Sequence, residues 1–270
     1  MQHSFSMRCL TVAAAMLSAC GSAPGAEELP PARPPLNVPA VSAPRVPEGP
    51  FRGIYSWNDW YEAPLGIGHL YSTEVRDYGA EWVSRIALPL HAEPEREPWG
   101  WIVQGWVVED GEELPFDMAG MVETSYEVLS LIVVEERGEW LRFRFGGPQA
   151  RDSGFAWVRL DELVLGPDSV VYQTWPDLFM SDLIGPLHFR GQEGPWPLYA
   201  QPAATEAMHR VMTRDHAIEP LEVQGEWLRV RVTEPSNYCA DPERVAVTEG
   251  WLRWWTPTRG PEVWYNTRGC

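Results

Sequence analysis

The chain has 270 residues, of which 44% are hydrophobic and 22% charged, so its composition is that of a globular protein and excludes disorder along its whole length. Its 38 acidic residues outnumber 21 basic ones, all of them arginine, and the formal net charge is −17. A nucleic-acid partner is therefore excluded, because such binding depends on Lys and Arg neutralising phosphates.

Residues 1–19 have the pattern of an export signal. Arg8 supplies the positive charge and Leu10–Leu17 is an apolar stretch, shorter than the roughly 20 residues that a membrane span needs. The sequence Leu17-Ser18-Ala19-Cys20 that follows resembles the bacterial lipobox. The alternative is an ordinary secretory signal with a cysteine there by chance.

The lipobox resemblance implies that the chain is cut before Cys20 and that lipid is attached to this residue. Two or three acyl chains anchor a protein stably, since each buried methylene contributes about 0.8 kcal/mol. The expected location is the cell envelope, with the membrane contacted through the lipid on Cys20. In a Gram-negative host, Gly21 and Ser22 after the cysteine resemble lipoproteins of the outer membrane that face the periplasm.

Residues 20–50 are predicted to be a disordered Pro-rich tether. Residues 21–50 contain nine prolines and no aromatic side chain, so they cannot bury enough surface to offset the chain entropy lost on folding. Proline favours an extended spacer of about 3.1 Å per residue. The alternative is that the prolines are ligand motifs for another domain.

The remainder of the chain contains an internal repeat of three short motifs in the same order. Motif 1 begins Pro-Leu, motif 2 is Gly-Glu-Trp-Leu-Arg, and motif 3 has Trp followed by an aliphatic residue and Arg. The paired copies are Pro89–Pro94 and Pro197–Pro202 for motif 1, Gly138–Arg142 and Gly225–Arg229 for motif 2, and Ala156–Arg159 and Gly250–Arg253 for motif 3.

The segments around motif 2 have the period of β-strands. In Trp227–Val232 and in Trp140–Phe145, apolar residues alternate with Trp and Arg, which predicts one core face and one Trp-Arg-Arg face. A strand-like segment precedes each, and a glycine between them favours a tight hairpin. Proline and glycine recur throughout and no run has a helical period, so the sequence predicts an all-β fold.

These motifs together resemble the bacterial SH3-like domain. The second copy, about residues 190–257, fits it well. The first, about residues 84–165, has Ala156 in place of the closing glycine and an acidic insertion at residues 95–125. The resemblance implies two tandem SH3-like small β-barrels and a binding or targeting role in the envelope, toward peptidoglycan or protein.

The resulting domain prediction has four parts. The signal peptide is 1–19, the lipidated cysteine and tether are 20–50, the first SH3-like module with its insertion is 51–166, and the second, with a C-terminal extension, is 167–270. Residues 51–83 and 167–189 carry no recognised motif and are interpreted as added strands.

Four cysteines are present, and two of them remain after export and lipidation. Cys9 leaves with the signal and Cys20 takes lipid, so Cys239 and Cys270 form an even pair in an oxidising compartment. We expect a disulfide between them, worth about 3 to 4 kcal/mol by the chain-entropy model. Two free thiols or an intermolecular bond are the alternatives.

No recognised enzyme motif occurs, so no catalytic residue, metal site or cofactor is predicted. No histidine follows Cys239, as a cysteine peptidase would need, since the last is His216. His209, His216 and the intervening Asp215 match no zinc spacing and are interpreted as surface side chains. The acidic run Glu109–Glu113 is typical of a solvated loop.

Aromatic residues are the remaining candidates for ligand contact. Trp and Tyr provide stacking faces for sugars and anchors for proteins, although most tryptophans of a small barrel fill its core. The four that we expect to be exposed and to contact a ligand are Trp57, Trp60, Tyr61 and Trp255.

The sequence thus predicts a non-catalytic, lipid-anchored envelope protein whose SH3-like modules bind an envelope protein or peptidoglycan. The net negative charge favours a protein over anionic wall polymers. The alternatives are a cell-wall hydrolase with an unrecognised site in residues 51–130, and a structural subunit of an envelope assembly.

Overall fold

The described part of the chain consists almost entirely of antiparallel β-strands, which confirms the all-β prediction. Among these residues no helix combines the length and apolar character needed to cross a membrane. The structure, a computed structural model, describes residues 35–47, 64–73, 80–118, 120–126, 128–146, 154–181, 184–190, 194–212, 214–236 and 245–267.

Ten strands form one sheet in the first half of the fold, here residues 64–181. They are β1 (Gly68–Ser72), β2 (Ala87–His91), β3 (Pro98–Val103), β4 (Trp106–Glu109), β5 (Glu112–Pro115), β6 (Val122–Ser125), β7 (Val128–Arg137), β8 (Trp140–Arg144), β9 (Phe155–Arg159) and β10 (Val170–Thr174). The strand order is β10-β1-β7-β8-β9-β2-β3-β4-β5, with β6 paired to β7. Short helical elements are the 3-10 helices Glu81–Arg85 and Leu160–Glu162 and helix α1 (Trp175–Phe179).

The second half, residues 184–267, has a five-stranded sheet of order β16-β15-β14-β11-β19 and two strand pairs, β12 with β13 and β17 with β18. Its strands are β11 (Leu187–Phe189), β12 (Trp196–Leu198), β13 (His209–Val211), β14 (Ala217–Gln224), β15 (Trp227–Glu234), β16 (Val245–Arg253), β17 (Trp255–Thr256), β18 (Gly260–Pro261) and β19 (Val263–Tyr265). Neither strand order closes on itself within the described residues.

Both predicted hairpins are present, with motif 2 at their turns. Strands β7 and β8 are joined through Gly138 and β14 and β15 through Gly225, and both glycines have positive φ, 60° and 56°. The side chains of Leu228, Val230 and Val232 are fully buried on one face of β15, as the alternation predicts. The local pattern therefore sets strand, turn and face together.

Motif 3 pairs with motif 2 in the same register in both halves. Arg142 lies opposite Trp157 across β8 and β9, and Arg229 lies opposite Trp251 across β15 and β16. A register shift of one residue turns a side chain to the other face of the sheet, so equal registers place equivalent side chains on equivalent faces. The internal repeat is therefore structural as well as sequential.

Motif 1 pairs with the tryptophan of motif 3, on the side of that strand away from motif 2. His91 pairs with Trp157, and Tyr199 forms an isolated bridge with Trp251 through both backbone hydrogen bonds. The three motifs meet at one tryptophan in each half. Sequence spacing conceals this, because loops of different length separate the motifs in the two copies.

The closing glycine of the second copy is required by this arrangement. A Cβ at Gly250 would lie 2.7 Å from a side-chain carbon of Leu198 and 2.8 Å from the carbonyl oxygen of Tyr199. In the first half, Ala156 occupies the equivalent position and is buried. The alanine at position 156, where the second copy has glycine, therefore adds one methyl group that the first half accommodates.

The predicted insertion continues the first sheet. Strands β3, β4 and β5 follow one another as antiparallel neighbours at its edge. The acidic run Glu109–Glu113 forms the end of β4, the connecting turn and the start of β5. It is a hairpin rather than an irregular loop, and its carboxylates point to no common centre of three or more ligands among the described residues.

Part of the predicted tether contacts this insertion. Residues 41–47, here the docked segment, lie against the turn between β3 and β4. The backbone N–H and hydroxyl of Ser42 both donate to the carboxylate of Glu113, at 2.8 and 2.6 Å. The indole N–H of Trp106 donates to the carbonyl oxygen of Ala43 at 2.8 Å. The extended chain thus acquires specific partners where the prediction gave it none.

Arg45 completes the contact. Its backbone N–H donates to Gln104 at 2.9 Å, and its guanidinium lies 5.3 Å from the centre of the Trp106 ring. Gly105 has a φ of 86°, and a Cβ there would overlap the carbonyl oxygen of Arg45. The glycine therefore permits the backbone of the docked segment to approach the turn.

Two hydrophobic cores organise residues 38–270, which form one compact unit. Strand β7 is buried on both faces: Leu131 and Val133 belong to the core of the first half, whereas Ile132 belongs to a core shared with the second half. The halves are also joined by hydrogen bonds from Leu65 to Arg259 and from Tyr265 to Thr124.

Residues 167–189 contribute strands to both halves. Strand β10 pairs with β1 in the first sheet, and β11 pairs with β14 and β19 in the second. The predicted module boundary, between residues 166 and 167, falls before β10. The module limits remain a prediction.

Candidate functional site

A cleft of about 260 Å³ opens between the two halves and is called the junction cleft. Its first-half wall consists of Ile67, Glu136, Tyr172, Thr174 and Pro176. Its second-half wall consists of Gly225, Trp254 and Trp255. Aromatic and apolar side chains predominate, with one carboxylate, which is the composition expected of a recognition site.

The end of β10 and the start of α1 supply three residues of the first-half wall: Tyr172, Thr174 and Pro176. Thr174 caps this helix: its hydroxyl oxygen accepts the backbone N–H of Asp177 at 3.2 Å and its hydroxyl donates to the same residue's carboxylate at 2.6 Å. Pro176 lies in the first turn, where its lack of an N–H costs nothing. The cap fixes the direction in which the chain turns away from the cleft.

Tyr172 provides the polar group of this wall. Its hydroxyl donates to the carboxylate of Glu136 at 3.3 Å. Burial raises the pKa of Tyr172 above its ordinary value, and the charge of Glu136 raises it further. The phenol therefore stays protonated at neutral pH and remains a hydrogen-bond donor beside a carboxylate.

The second-half wall presents two tryptophan rings whose N–H groups are already bonded to the backbone. The indole N–H of Trp254 donates to Gly225 at 2.9 Å, and that of Trp255 donates to Gly66 at 3.3 Å. Trp254 is buried and Trp255 half-buried. Neither indole N–H is therefore free to donate to a ligand in the cleft.

Close backbone contacts bring the walls together. The backbone N–H of Leu65 donates to Arg259 at 2.8 Å. Gly260 has a φ of 75°, and a Cβ there would overlap the carbonyl oxygen of Gly66. The turn between β17 and β18 can therefore approach the irregular segment that precedes β1, and Trp255 follows it to the cleft.

A buried histidine lies on β1, next to the strand that bears Tyr172. The ring of His69 is stacked between Tyr71, at 4.9 Å, and Trp175, at 5.0 Å, and its Nε2 is 3.1 Å from Gln173. Burial lowers the pKa of His69 to about 4, although the Gln173 hydrogen bond opposes this. The ring is neutral near pH 7 and supports the strand pair β1 and β10.

The structure places one of the predicted ligand-contact residues at this site. Trp255 lines the junction cleft. The other three predicted contacts, and the lipidation and disulfide cysteines, lie outside the described residues: Trp57, Trp60, Tyr61, Cys20, Cys239 and Cys270.

Sequence reasoning missed the whole first-half wall. Ile67 and Tyr172 come from the two stretches without a recognised motif. The signal that was available is local: Thr174, then Pro176 and Asp177, is the pattern of a capped helix start. It predicts a turn of helix but gives no information about what that helix faces.

One of the two predicted surface histidines forms side-chain hydrogen bonds within the fold. His216 is buried, its Nδ1 accepts the backbone N–H of Met212 at 3.1 Å, and its Nε2 is 3.0 Å from Glu234. The ring of His209 meets it edge-on at 5.8 Å. His216 is therefore an inward-facing side chain, which corrects the expectation that it lies on the surface.

The arrangement in the junction cleft can bind, since it offers ring faces, one phenol donor and one carboxylate in a preformed groove. No family model, curated protein or solved structure matches the chain. A functional assignment therefore depends on the geometry of the cleft and on the sequence signals.

Proposed function

We propose that the protein is a non-catalytic, lipid-anchored protein of the cell envelope that binds an envelope partner in the junction cleft. The observation that carries this proposal is the cleft itself, which Trp254 and Trp255 line from the second half and Tyr172 lines from the first. Tryptophan and tyrosine dominate the energetics of binding sites, because their large rigid faces bury much apolar area at low entropic cost.

The chemistry of the walls favours a protein segment as the ligand. The apolar rings suit an apolar side chain, and Glu136 at the rim suits a neighbouring Lys or Arg. The net charge of −17 disfavours direct attraction to anionic wall polymers. Peptidoglycan is the alternative ligand, since sugar rings also stack on tryptophan.

The N-terminal sequence supports the proposed anchorage and location. Lipid on Cys20 would hold the protein to the membrane, and in a Gram-negative host to the outer membrane on its periplasmic side. We further propose that Cys239 and Cys270 form a disulfide that ties the chain end to the loop before β16. The oxidising compartment implied by the export signal supports this pairing.

We also propose that each half is an elaborated SH3-like barrel. The equal registers of motifs 1, 2 and 3 in the two halves support the proposal, because a shared fold is the simplest cause of a shared pairing pattern. Strands from the stretches without motifs would then be additions at the edges of each barrel.

Site-specific crosslinking tests the binding function. A photoreactive benzoylphenylalanine replaces Glu136 at the cleft rim in the full-length protein, expressed in its own cells. The control replaces Glu139, an exposed carboxylate in the turn of the same hairpin that does not line the cleft. We expect a discrete adduct from position 136 and none from position 139. Equal labelling at both positions, or no adduct at position 136, would contradict the proposal.

A further inference from the structure

Each half has an equivalent aromatic surface, which is buried in the first half and partly exposed in the second. In the first half it comprises His91, Trp140 and Trp157, here the covered face. In the second half the equivalent set is Tyr199, Trp227 and Trp251, here the open face. Leu141 follows Trp140 and Leu228 follows Trp227, and both leucines are buried in a hydrophobic core. Because successive side chains of a strand point to opposite faces, both aromatic sets lie on the side of the sheet away from that core.

Two side chains of the first half shield the covered face. The carboxylate of Glu95 accepts the indole N–H of Trp140 at 3.1 Å. The guanidinium of Arg137 stacks 4.7 Å from the centre of the Trp157 ring. Only 5% of Trp140 and 4% of Trp157 are exposed as a result. The first half thus supplies a carboxylate and a cation to its own tryptophans.

The second half has the same backbone but not these side chains. Glu95 follows motif 1 with a φ of 63°, and Ala203 follows the second motif 1 with a φ of 61°. Arg137 lies opposite Trp140 in its hairpin, and Gln224 is in the equivalent place opposite Trp227. Alanine supplies no acceptor and glutamine no cation.

The open face is therefore left with unused binding capacity. Trp227 and Trp251 are half-buried, and neither indole N–H donates to a protein group within the described residues. The rings of Tyr199 and Trp227 pack edge to face, with their centres 5.5 Å apart. An N–H donor in an otherwise apolar surface favours a partner that brings an acceptor.

Two arginines lie beside the tryptophans of the open face. Arg253 lies opposite Trp227 and Arg229 opposite Trp251, and their side chains are 54% and 44% exposed. Arg253 pairs with one carboxylate, that of Glu226, whereas Arg229 already pairs with two, those of Glu222 and Glu249. A guanidinium has five N–H donors, so Arg253 retains capacity for a second acceptor.

We propose that the open face binds an acidic segment of a partner protein, with a glutamate or aspartate carboxylate in the place that Glu95 occupies in the first half. The indole N–H of Trp227 and the guanidinium of Arg253 donate to that carboxylate, while Trp251 packs against the segment's neighbouring side chain. A basic segment is disfavoured, because Lys and Arg side chains bring no acceptor for the indole N–H of Trp227 or for Arg253. This surface adds a second binding site to the one in the junction cleft.

Indole N–H resonances of the full-length protein, labelled with 15N-tryptophan, test the proposal. The probe is the capped peptide Glu-Gly-Glu-Gly-Glu, with Gln-Gly-Gln-Gly-Gln as its uncharged match and purified muropeptides as a third titrant. Variants W227F and W140F assign the two signals that decide the outcome. We expect the acidic peptide to shift the Trp227 signal and to leave the Trp140 signal unchanged, and the other two titrants to shift neither.

A second test transfers the carboxylate of the first half to the open face, and a matched variant controls for the added charge. Ala203→Glu places an acceptor on the backbone conformation that already carries Glu95, and we expect it to weaken the peptide about tenfold or more, as for the loss of one charge-assisted hydrogen bond. Ala207→Glu adds the same charge at an exposed position nearby and should leave the affinity unchanged. Equal shifts with the glutamine peptide, shifts with muropeptides alone, no shift, or equal loss in both variants would each overturn the proposal.

Discussion

Stability below pH 7 depends on the stacked histidine behind the cleft. Burial lowers the pKa of His69 to about 4, against an ordinary value of 6.5 in the unfolded chain. Below pH 6.5 the unfolded chain binds a proton that the folded protein does not, so stability falls as the pH falls and levels off near pH 4. The full effect is about 3 kcal/mol, of which about 2 kcal/mol is lost between pH 7 and pH 4.5.

His69→Phe removes the titrating group and keeps a flat ring between Tyr71 and Trp175. Urea unfolding of both proteins at pH 7 and pH 4.5 gives four free energies of unfolding. Because carboxylates and other histidines titrate equally in both, the difference between the two pH dependences isolates His69. We expect wild type to lose about 2 kcal/mol more than the variant. Losses that agree within about 0.5 kcal/mol would refute the neutral, buried state of the ring.

Three further predictions concern packing and covalent structure. Gly250→Ala should cost about 1 to 3 kcal/mol of unfolding free energy in urea titrations, whereas Gly154→Ala, whose Cβ would meet only one atom, at 3.7 Å, should cost little. Gly105→Ala should release the docked segment and speed tryptic cleavage after its arginine; Gly111→Ala is the control, since it has a similar positive φ but no atom within 4 Å. The two cysteines after residue 200 should resist a thiol reagent in the intact mature protein until reductant is added.

The features that could be predicted from the sequence are those written in local patterns. Alternation in Trp227–Val232 and a glycine at each turn determine strand, face and hairpin, because these depend on neighbouring residues alone. The repeat was visible because three motifs recur in order. That the three motifs meet at Trp157 and at Trp251 is seen only in the structure, because it results from strand pairing across loops of variable length.

Long-range pairings had no such pattern. Strand β10 pairs with β1 about a hundred residues earlier, and the docked segment depends on single contacts such as Ser42 with Glu113 and Arg45 with Gln104. Such single contacts leave no periodic pattern in the sequence. The proline-rich composition of the segment therefore predicts a tether. The junction cleft is the product of such pairings, which is why only Trp255 of its walls was anticipated.

The binding claim for the junction cleft is tested most directly by affinity for the partner identified by crosslinking at position 136. Titration calorimetry would compare wild type with Trp255→Ala and with Trp255→Phe, which keeps an aromatic face but loses the bond to Gly66. We predict that alanine weakens binding about thirtyfold, as for an aromatic hot spot worth about 2 kcal/mol, and that phenylalanine retains most of the affinity. An alanine variant that binds within about twofold of wild type would contradict the account.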